Sequence, residues 1–384
     1  MVSGRKRIGN AYPASSDPMT GPLAGCTIGV TGDRRWEEQA EMLRRRGATV
    51  VHGPVMQTGL LHDAEATLAA TRRALAAPVD LVVLSTGIGT RSWLGVADSA
   101  GLDEELRRWS ADAAVLARGP KARSAAIGSG VEVEWQAPGE TSAEVVAELE
   151  RRGVAGRRVV VQRDGSAEPV LADAVAALGA DVVDVPVYRW DPPADAGPAR
   201  RLLEATAAGR LHAVTFTCAY AVDSAFELAP DPAALRAALD RPVAAVAVGP
   251  VCAAALRRHG VTSVVQPRRA RLGTMVQALV VALTARHQVL RHDGQELRWQ
   301  GALLRGDDHE AQLTPSEARL LAVLVERAPA VVAKADLVDD GRDEHAAEAA
   351  VARLRAKLGP LAPAIRSVPR RGYASTLEVR PATP

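Results

Sequence analysis

The chain has 384 residues, of which 47% are hydrophobic and only 3% aromatic, and its formal net charge is +2. This length suggests two or three domains, and the hydrophobic share excludes a chain that is disordered throughout. The near-neutral total charge indicates no class of partner until the basic residues are located along the chain.

The first residues and the cysteines indicate where the protein acts. Residues 1–20 are polar and contain Pro and Ser, which predicts a disordered tail. The basic start lacks the apolar run of a signal peptide, and no apolar stretch is long enough to span a bilayer. Cys26, Cys218 and Cys252 show no metal-ligand spacing and fit a reducing compartment. We therefore expect a cytoplasmic protein with no membrane contact, no metal and no cofactor.

From Gly21 to about Arg286, short runs of Val, Ile and Leu alternate with Ala- and Arg-rich stretches that end in glycine. This alternation is typical of an α/β fold, and continuous apolar runs indicate strands that are buried on both faces. The predicted strands are Thr27–Thr31, Thr49–Val51, Leu81–Leu84, Ala125–Ile127, Arg158–Gln162, Val182–Val185, Ala213–Phe216, Ala244–Val248 and Ser263–Val265.

An internal repeat runs through the same region. The segment that begins at Gly25 resembles the segment that begins at Gly156, an offset of 131 residues. Further along, the Gly-Pro pair at 119–120 matches the pair at 249–250, an offset of 130. Generic α/β periodicity would explain the alternation but not the shared Gly-Pro anchors. We therefore infer a duplication that produces two similar α/β lobes, and ligands commonly bind in the cleft between such lobes.

After Arg286 the pattern changes to short alternating segments broken by Asp-Gly and Gly, which predicts a small antiparallel sheet. Thr314, Pro315 and Glu317 then form the capping box of a first helix. A second short helix is expected near Lys334–Val338.

A third helix is predicted over Glu344–Leu358, because apolar residues recur there with helical spacing. A hairpin should follow, in which Ile365–Val368 pairs with Tyr373–Thr376 across a tip of Pro, two Arg and Gly. The apolar stripe of the third helix consists of Ala347, Val351, Leu354 and Leu358.

Basic residues are concentrated at this end of the chain. From residue 351 onward there are seven Lys or Arg and a single acid, Glu378. A charge run alone is usually a solvated face, but here it coincides with a helix and a hairpin tip. The duplex phosphate backbone is the natural partner for such a patch.

This segment resembles the OmpR-type winged-helix effector domain of response regulators. The patterns LTPxExxLL, RLRxKLG and IRxVxxxGY occur between Leu313 and Tyr373, and the resemblance covers about Gln288 to Val379. It implies a third helix in the major groove, a wing at the adjacent minor groove, and a homodimer that reads paired half-sites. The residues expected to contact double-stranded DNA are Arg353, Arg355, Lys357, Ser367, Arg370 and Arg371.

Residues 21–286 resemble uroporphyrinogen-III synthase, the enzyme that closes and rearranges a linear tetrapyrrole. The resembling pieces include IGVTGDRRWEEQAEMLRRRGATV, Val187–Arg189, Thr215–Thr217 and Val248–Pro250. The resemblance implies two duplicated α/β lobes joined by two linkers that cross near Pro54 and Pro186. The expected boundaries are 21–54 with 187–286 for lobe one, 55–186 for lobe two, and 287–384 for the DNA-binding domain.

The resemblance also implies a ligand cleft. Tyr188 matches the tyrosine that follows the family's linker strand; it is the catalytic candidate if the chain is active, and a packing role is equally open. The hydroxyls of the family's Gly-Pro turns are missing here, although that family holds its substrate largely through backbone amides. Basic residues on strand-to-helix turns would suit an anionic ligand, unless they are ordinary surface arginines. The candidate cleft residues are Arg34, Arg35, Ser85, Thr86, Gly87, Lys121, Arg123, Arg163, Thr217, Cys218, Gly249 and Pro250.

Two functions therefore remain open. The first is a transcription regulator whose lobes sense a small anionic or tetrapyrrole-like ligand or mediate dimerisation; similar fusions are associated with nitrate and nitrite assimilation. The second is an active uroporphyrinogen-III synthase, which cyclises hydroxymethylbilane with inversion of ring D, that also binds DNA.

Overall fold

The structure is a computed structural model, and it describes residues 21–60, 64–163, 165, 170–337 and 344–382. The chain divides into two compact units, Met1–Val55 with Asp195–Pro384 and Met56–Ala194. The predicted tail at residues 1–20 and the predicted helix end at Val338 lie outside the described residues.

The strands of the α/β part are short, and most of them are buried. In chain order they are β1 (Thr27–Val30), β2 (Thr49–His52), β3 (Gln57–Leu60), β4 (Leu81–Leu84), β5 (Ala114–Ala117), β6 (Trp135–Gln136), β7 (Arg158–Gln162), β8 (Asp181–Val185), β9 (Tyr188–Asp191), β10 (Ala213–Phe216), β11 (Ala244–Ala247) and β12 (Val264–Val265).

Helices follow most of these strands. They are α1 (Trp36–Arg44), α2 (Ala64–Leu75), α3 (Gly87–Ser99), α4 (Asp103–Asp112), α5 (Pro120–Ile127), α6 (Ser142–Arg152), α7 (Val170–Ala176), α8 (Gly197–Ala207), α9 (Ala219–Leu228), α10 (Pro232–Asp240), α11 (Pro250–Arg258) and α12 (Leu272–Thr284). None of the helices in the described ranges is long and apolar enough to cross a membrane.

The two units contain parallel sheets of the same design. One sheet has the order β12-β11-β10-β1-β2 and the other β6-β5-β4-β7-β8. The pair β1-β2 corresponds to β7-β8, and the trio β10-β11-β12 corresponds to β4-β5-β6. Each sheet therefore combines the first part of one sequence repeat with the second part of the other, which confirms the duplicated α/β lobes.

One predicted strand is wrong. Ala125–Ile127 lies at the end of helix α5, and the strand at this part of the chain is β5, which precedes α5 and pairs with β4. Gly119 has extended backbone angles at the N-cap of α5 and Pro120 occupies the first turn, where its missing N–H costs nothing. Ala122, Ala125 and Ala126 are buried with helical spacing, so a short run of small apolar residues was mistaken for a strand.

A two-stranded antiparallel ribbon completes the second unit. Strands β3 and β9 pair from Gln57 opposite Asp191 to Leu60 opposite Tyr188. Tyr188 thereby lies in the ribbon, immediately after the strand that ends at Val185.

The C-terminal region contains two antiparallel sheets and two α-helices among its described residues. The elements are β13 (Gln288–His292), β14 (Gln295–Gln300), β15 (Leu303–Arg305), β16 (Glu310–Gln312), α13 (Pro315–Glu326), β17 (Val331–Val332), a 3-10 turn (Lys334–Leu337), α14 (Glu344–Leu358), a second 3-10 turn (Gly359–Ala364), β18 (Ile365–Val368), β19 (Gly372–Ser375) and β20 (Glu378–Pro381).

The predicted turn and cap chemistry of this region is confirmed. The β13–β14 hairpin turns at Asp293 and Gly294, which both have positive φ, as a type I′ turn requires. Helix α13 has the capping box, because the side chain of Thr314 accepts from the N–H of Glu317 while the Glu317 carboxylate accepts from the N–H of Thr314. The sheets have the orders β16-β15-β14-β13-β20 and β17-β19-β18.

Candidate nucleic-acid interface and strand-to-helix turns

The apolar stripe of helix α14 packs the helix against the core of the C-terminal region. Ala347, Val351, Leu354 and Leu358 are all fully buried, as the helical spacing predicted. Val351, Leu354 and Leu358 pack into one core with residues of α13 and the adjoining sheets. The opposite side of the helix therefore faces away from the core, which is the arrangement that a helix needs in order to enter a DNA groove.

Three arginines predicted to contact DNA are exposed. Arg353, on α14, has 63% of its side chain exposed, and its Nε lies 3.9 Å from the Glu317 carboxylate, which is too long for a hydrogen bond. Arg370 and Arg371 are exposed at the tip of the β18–β19 hairpin, where Arg370 adopts a positive φ of 61°. Ser367 is also exposed, on strand β18.

Arg355 and Lys357 occupy different surroundings. The Arg355 guanidinium donates to the carbonyl of Ile365 from Nη2 at 2.7 Å and to the Ser367 hydroxyl at 3.1 Å. It also lies 5.7 Å from the centre of the Tyr373 ring, a cation–π distance. Arg355 thus ties α14 to the hairpin. Lys357 is half-buried, and its carbonyl is 2.7 Å from His309 Nε2.

The hairpin rests on strand β17 through Gly372. This glycine has φ of 127°, and a Cβ atom built on it would lie 2.0 Å from the carbonyl oxygen of Val332. Strand β17 pairs with β19 at that point, with Val332 opposite Tyr373. Only glycine allows this approach of the two backbones.

In the second unit, the predicted turn residues surround a glutamine that the sequence analysis did not single out. Gln162 is fully buried at the end of β7. Its side-chain oxygen accepts from the N–H of Ser85 at 3.2 Å and from the Thr90 hydroxyl at 3.2 Å. A Cβ on Gly89 would lie 1.9 Å from Gln162 Nε2. In the sequence, this role is indicated only by a polar residue, Gln162, at the end of the apolar run of strand β7.

Tyr188 lies beside this cluster. The residue is only 3% exposed and belongs to a hydrophobic core of the second unit. The Thr86 hydroxyl donates to its phenolic oxygen at 3.3 Å, and its ring packs against Gly165 and, edge-on, against Trp190. Both the catalytic and the packing roles considered for Tyr188 are compatible with this position.

The basic candidate residues of the second unit differ in their exposure and in their ion pairs. Lys121 and Arg123 are exposed in the first turns of α5. The carbonyl of Lys121 lies 2.5 Å from the place where a Cβ on Gly87 would be, so the starts of α3 and α5 meet there. Arg163 is instead held by an ion pair with Asp184, in which Oδ2 accepts from both Nε and Nη2 of the arginine.

In the first unit, Arg34 and Arg35 are exposed between β1 and α1. Arg35 is bound to Glu38 by two contacts of 2.7 Å. Thr217 is half-buried after β10, and Cys218 directly precedes α9. The candidates of this unit, which also include Gly249 and Pro250 at the start of α11, follow the carboxyl ends of parallel strands, the usual place for ligand sites in α/β sheets.

Thr86 and Cys218 occupy corresponding positions in the duplicated fold. Thr86 is the N-cap of α3 and accepts from the N–H of Gly89 at 3.1 Å; Cys218 is the N-cap of α9 and accepts from the N–H of Ala221 at 3.4 Å. Sulfur is the weaker acceptor. The first unit therefore has the poorer cap.

We expect Cys218→Thr to stabilise the first turn of α9 by about 0.5–1 kcal/mol, because a hydroxyl caps better than a thiol and the backbone is already extended there. Hydrogen exchange of the Ala221 amide measures this local change. The matched control, Cys218→Ala, should exchange faster than the native chain. Equal protection in the Thr and Ala variants would disprove the cap.

The buried cysteines are protonated thiols, and the described residues include no metal-binding cluster. Burial raises the pKa of Cys26 to about 12 and also raises the pKa of Cys252, so neither is a thiolate near neutral pH. Within the described ranges, no group of three His, Cys, Asp or Glu side chains could hold a metal ion.

Comparison with known families gives two matches in one chain. Residues 37–277 match the family profile of uroporphyrinogen-III synthase HemD. Residues 308–375 match the profile of the C-terminal domain of transcriptional regulatory proteins. The two matches together confirm that the chain is a fusion of a synthase-like part and a DNA-binding domain of the OmpR type.

Individual relatives are similar over the first part of the chain. An uncharacterized protein, YjjA, of Bacillus subtilis is 29% identical over 261 residues, which are 67% of this chain and 96% of the relative. A putative uroporphyrinogen-III synthase of Methanothermobacter thermautotrophicus is 27% identical over 65% of this chain and 95% of its own. A crystal structure of mutant uroporphyrinogen III synthase from Thermus thermophilus superposes with a TM-score of 0.58 at 32% identity, covering 67% of this chain and 98% of that one.

Proposed function

Because this chain belongs to the uroporphyrinogen-III synthase family and carries a transcriptional-regulator domain, we propose that it is a DNA-binding transcription regulator whose synthase-like lobes sense a small anionic ligand. The proposed DNA-binding domain is residues 287–384, and the proposed lobes lie within residues 21–286.

The observation that carries the proposal is the exposed basic ridge of the C-terminal domain. Arg353 on α14 and Arg370 and Arg371 on the hairpin are exposed, whereas the apolar stripe of the same helix is buried. A helix that presents cations outward, next to a cationic hairpin tip, has the geometry of a winged helix on duplex DNA. Arg355, whose donors are engaged by Ile365 and Ser367, acts in this proposal as the residue that positions the hairpin on the helix.

Ligand sensing is supported by the strand-to-helix turns. In each unit the candidate residues share one edge of a parallel sheet, where helix N-termini offer backbone N–H groups to anions. The hydroxyl expected in one Gly-Pro turn is replaced by Cys252, which is buried and points its thiol toward the carbonyl of Phe216 at 3.4 Å. Binding without turnover fits turns that keep their amides but have lost this side-chain chemistry. A tetrapyrrole-like anion is the proposed ligand class, and a homodimer the proposed DNA-bound state.

Incubation of the purified full-length chain with hydroxymethylbilane tests sensing against catalysis. We expect no enzyme-dependent formation of the type III isomer, because the hydroxyls of the Gly-Pro turns are missing. Chromatographic separation of the isomers measures the outcome. Robust turnover that is lost in Tyr188→Phe would contradict the sensor proposal and show that the chain is an active synthase that also binds DNA.

A further inference from the structure

A groove of about 940 Å³ lies within the first unit, between helix α12 and the C-terminal sheet. Val280, Val281 and Thr284 line it from the helix, and Val289, Arg298 and Arg305 line it from strands β13, β14 and β15. Its volume lies at the upper end of the range of roughly 300–1,000 Å³ that is typical of small-molecule pockets. None of these residues belongs to the strand-to-helix turns discussed above.

The sheet register places two arginines directly opposite each other, and both line the groove. Arg298 pairs with Arg305 across β14 and β15, and Val289 lies opposite Arg298 on the other side. Like charges at directly opposed positions destabilise a sheet. Arg305 is bound to Glu310 at 2.7 Å, but within the described part of the chain no carboxylate forms an ion pair with Arg298. An anion against Arg298 would relieve this repulsion.

His287 also lines this groove and has a ring nitrogen without a hydrogen-bond partner among the described residues. Its Nε2 atom is buried and has no hydrogen-bond partner among the described residues. Burial and the nearby Arg298 lower the pKa of His287, so the ring is neutral at pH 7. Buried polar atoms in folded proteins are nearly always hydrogen-bonded, and a missing partner is therefore informative. This buried atom is not accessible from the groove in the present conformation, so a neutral imidazole could donate to a ligand oxygen only after the side chain rotates.

The remaining surface of the groove is apolar. Val281 is 59% exposed, and it lines the groove together with the buried Val280 and Leu303. A ligand with an apolar body would cover Val281 and remove that surface from water. Of the two groove carboxylates, Glu296 is held by Arg291 at 2.7 Å, whereas Asp307 follows β15.

We propose that this groove binds a small organic anion with an apolar body, such as a medium-chain or aromatic carboxylate, with the anionic group on Arg298 and the body on Val280, Val281 and Leu303. Helix α12 ends the synthase-like part and β13 begins the C-terminal domain, so a bound molecule contacts both. An effect of this ligand on DNA affinity rests on the proposed function; the binding itself does not.

Fluorescence titration of the full chain with 8-anilinonaphthalene-1-sulfonate, a sulfonate with an aromatic body, tests the site. We expect Arg298→Gln to weaken probe binding about tenfold or more, because it removes a charged hydrogen-bond donor. Decanoate should displace the probe, whereas inorganic phosphate should not. The matched control is Arg236→Gln, an arginine on α10 that does not line the groove, and it should leave probe affinity unchanged.

Several results would overturn the proposal. Unchanged probe affinity in Arg298→Gln would remove the site. Equal displacement by phosphate would make it a simple anion site. Weaker probe binding in Asp307→Asn would contradict an anion site, because removal of a nearby carboxylate should leave the binding of an anion unchanged or strengthen it. Stronger binding after deletion of residues 1–20 would indicate that the N-terminal segment is the occupant. A failure of DNA binding would leave the probe titration unaffected, so the two proposals are tested separately.

Discussion

The double variant Arg353→Ala, Arg371→Ala is expected to bind duplex DNA about 100-fold more weakly than the native chain at low salt. Each side chain is exposed and should contribute a charge-assisted contact to phosphate or to a base edge. Loss of two phosphate contacts should also make the slope of log affinity against log salt shallower by about two units. Fluorescence anisotropy with a labelled duplex at several salt concentrations measures both effects.

The control for this variant is Arg236→Ala, which removes a similarly exposed arginine from α10 of the synthase-like part. It should leave both affinity and salt slope unchanged. Arg355→Ala should behave differently again, because it also releases the hairpin from α14 and so increases hydrogen exchange along β18. If the double variant binds DNA as the native chain does, α14 and the hairpin are not the DNA-binding face.

Gly372→Ala is expected to destabilise the C-terminal domain by about 3 kcal/mol or more. The added methyl group would lie 2.0 Å from the carbonyl oxygen of Val332, and the φ of 127° is one that L-residues rarely adopt. Relief requires β17 to move away from β19, which breaks their pairing and displaces the arginines at the hairpin tip. Urea denaturation followed by hydrogen exchange of the β19 amides measures the loss, and duplex binding should fall with it.

The variant Gly294→Ala serves as the control for Gly372→Ala. It shows how much stability is lost through the positive φ alone, without a steric clash. Gly294 also has positive φ, 80°, but a Cβ there would meet no atom within 4 Å. Its replacement should therefore cost only the backbone preference, about 1–2 kcal/mol. If the two alanine variants are equally destabilised, the close approach to Val332 is not what fixes residue 372 as glycine.

The elements that follow local rules could be predicted from the sequence. The capping box at Thr314, the Asp293–Gly294 turn and the buried stripe of α14 depend on residues that are close together in the chain. The repeat also predicted the lobes, because the Gly-Pro pairs occupy the same N-cap and first-turn positions in α5 and α11. The predicted strand Ala125–Ile127 was wrong, because a run of only three apolar residues has no period that distinguishes a strand from a helix.

The contacts that shape the candidate sites could not be predicted, because they join residues far apart in the chain. Gln162 meets the Ser85 turn across two adjacent strands of the sheet, and a single polar residue carries no signal of such a partner. The charge of Arg355 predicts a DNA contact, but the sequence does not reveal that its guanidinium also donates to the Ile365 carbonyl. Spacing locates a charged residue on a helix face, but only the fold shows whether its donors are already engaged.

Selection of duplexes from a random pool by the purified full-length chain, followed by titration of the enriched duplex, tests the central claim most directly. A DNA-binding regulator should enrich a defined sequence and bind it at least about 1,000-fold more tightly than a shuffled duplex at physiological salt. If no sequence is enriched, or if the enriched and shuffled duplexes bind equally, the C-terminal domain of this chain is not a sequence-specific DNA reader.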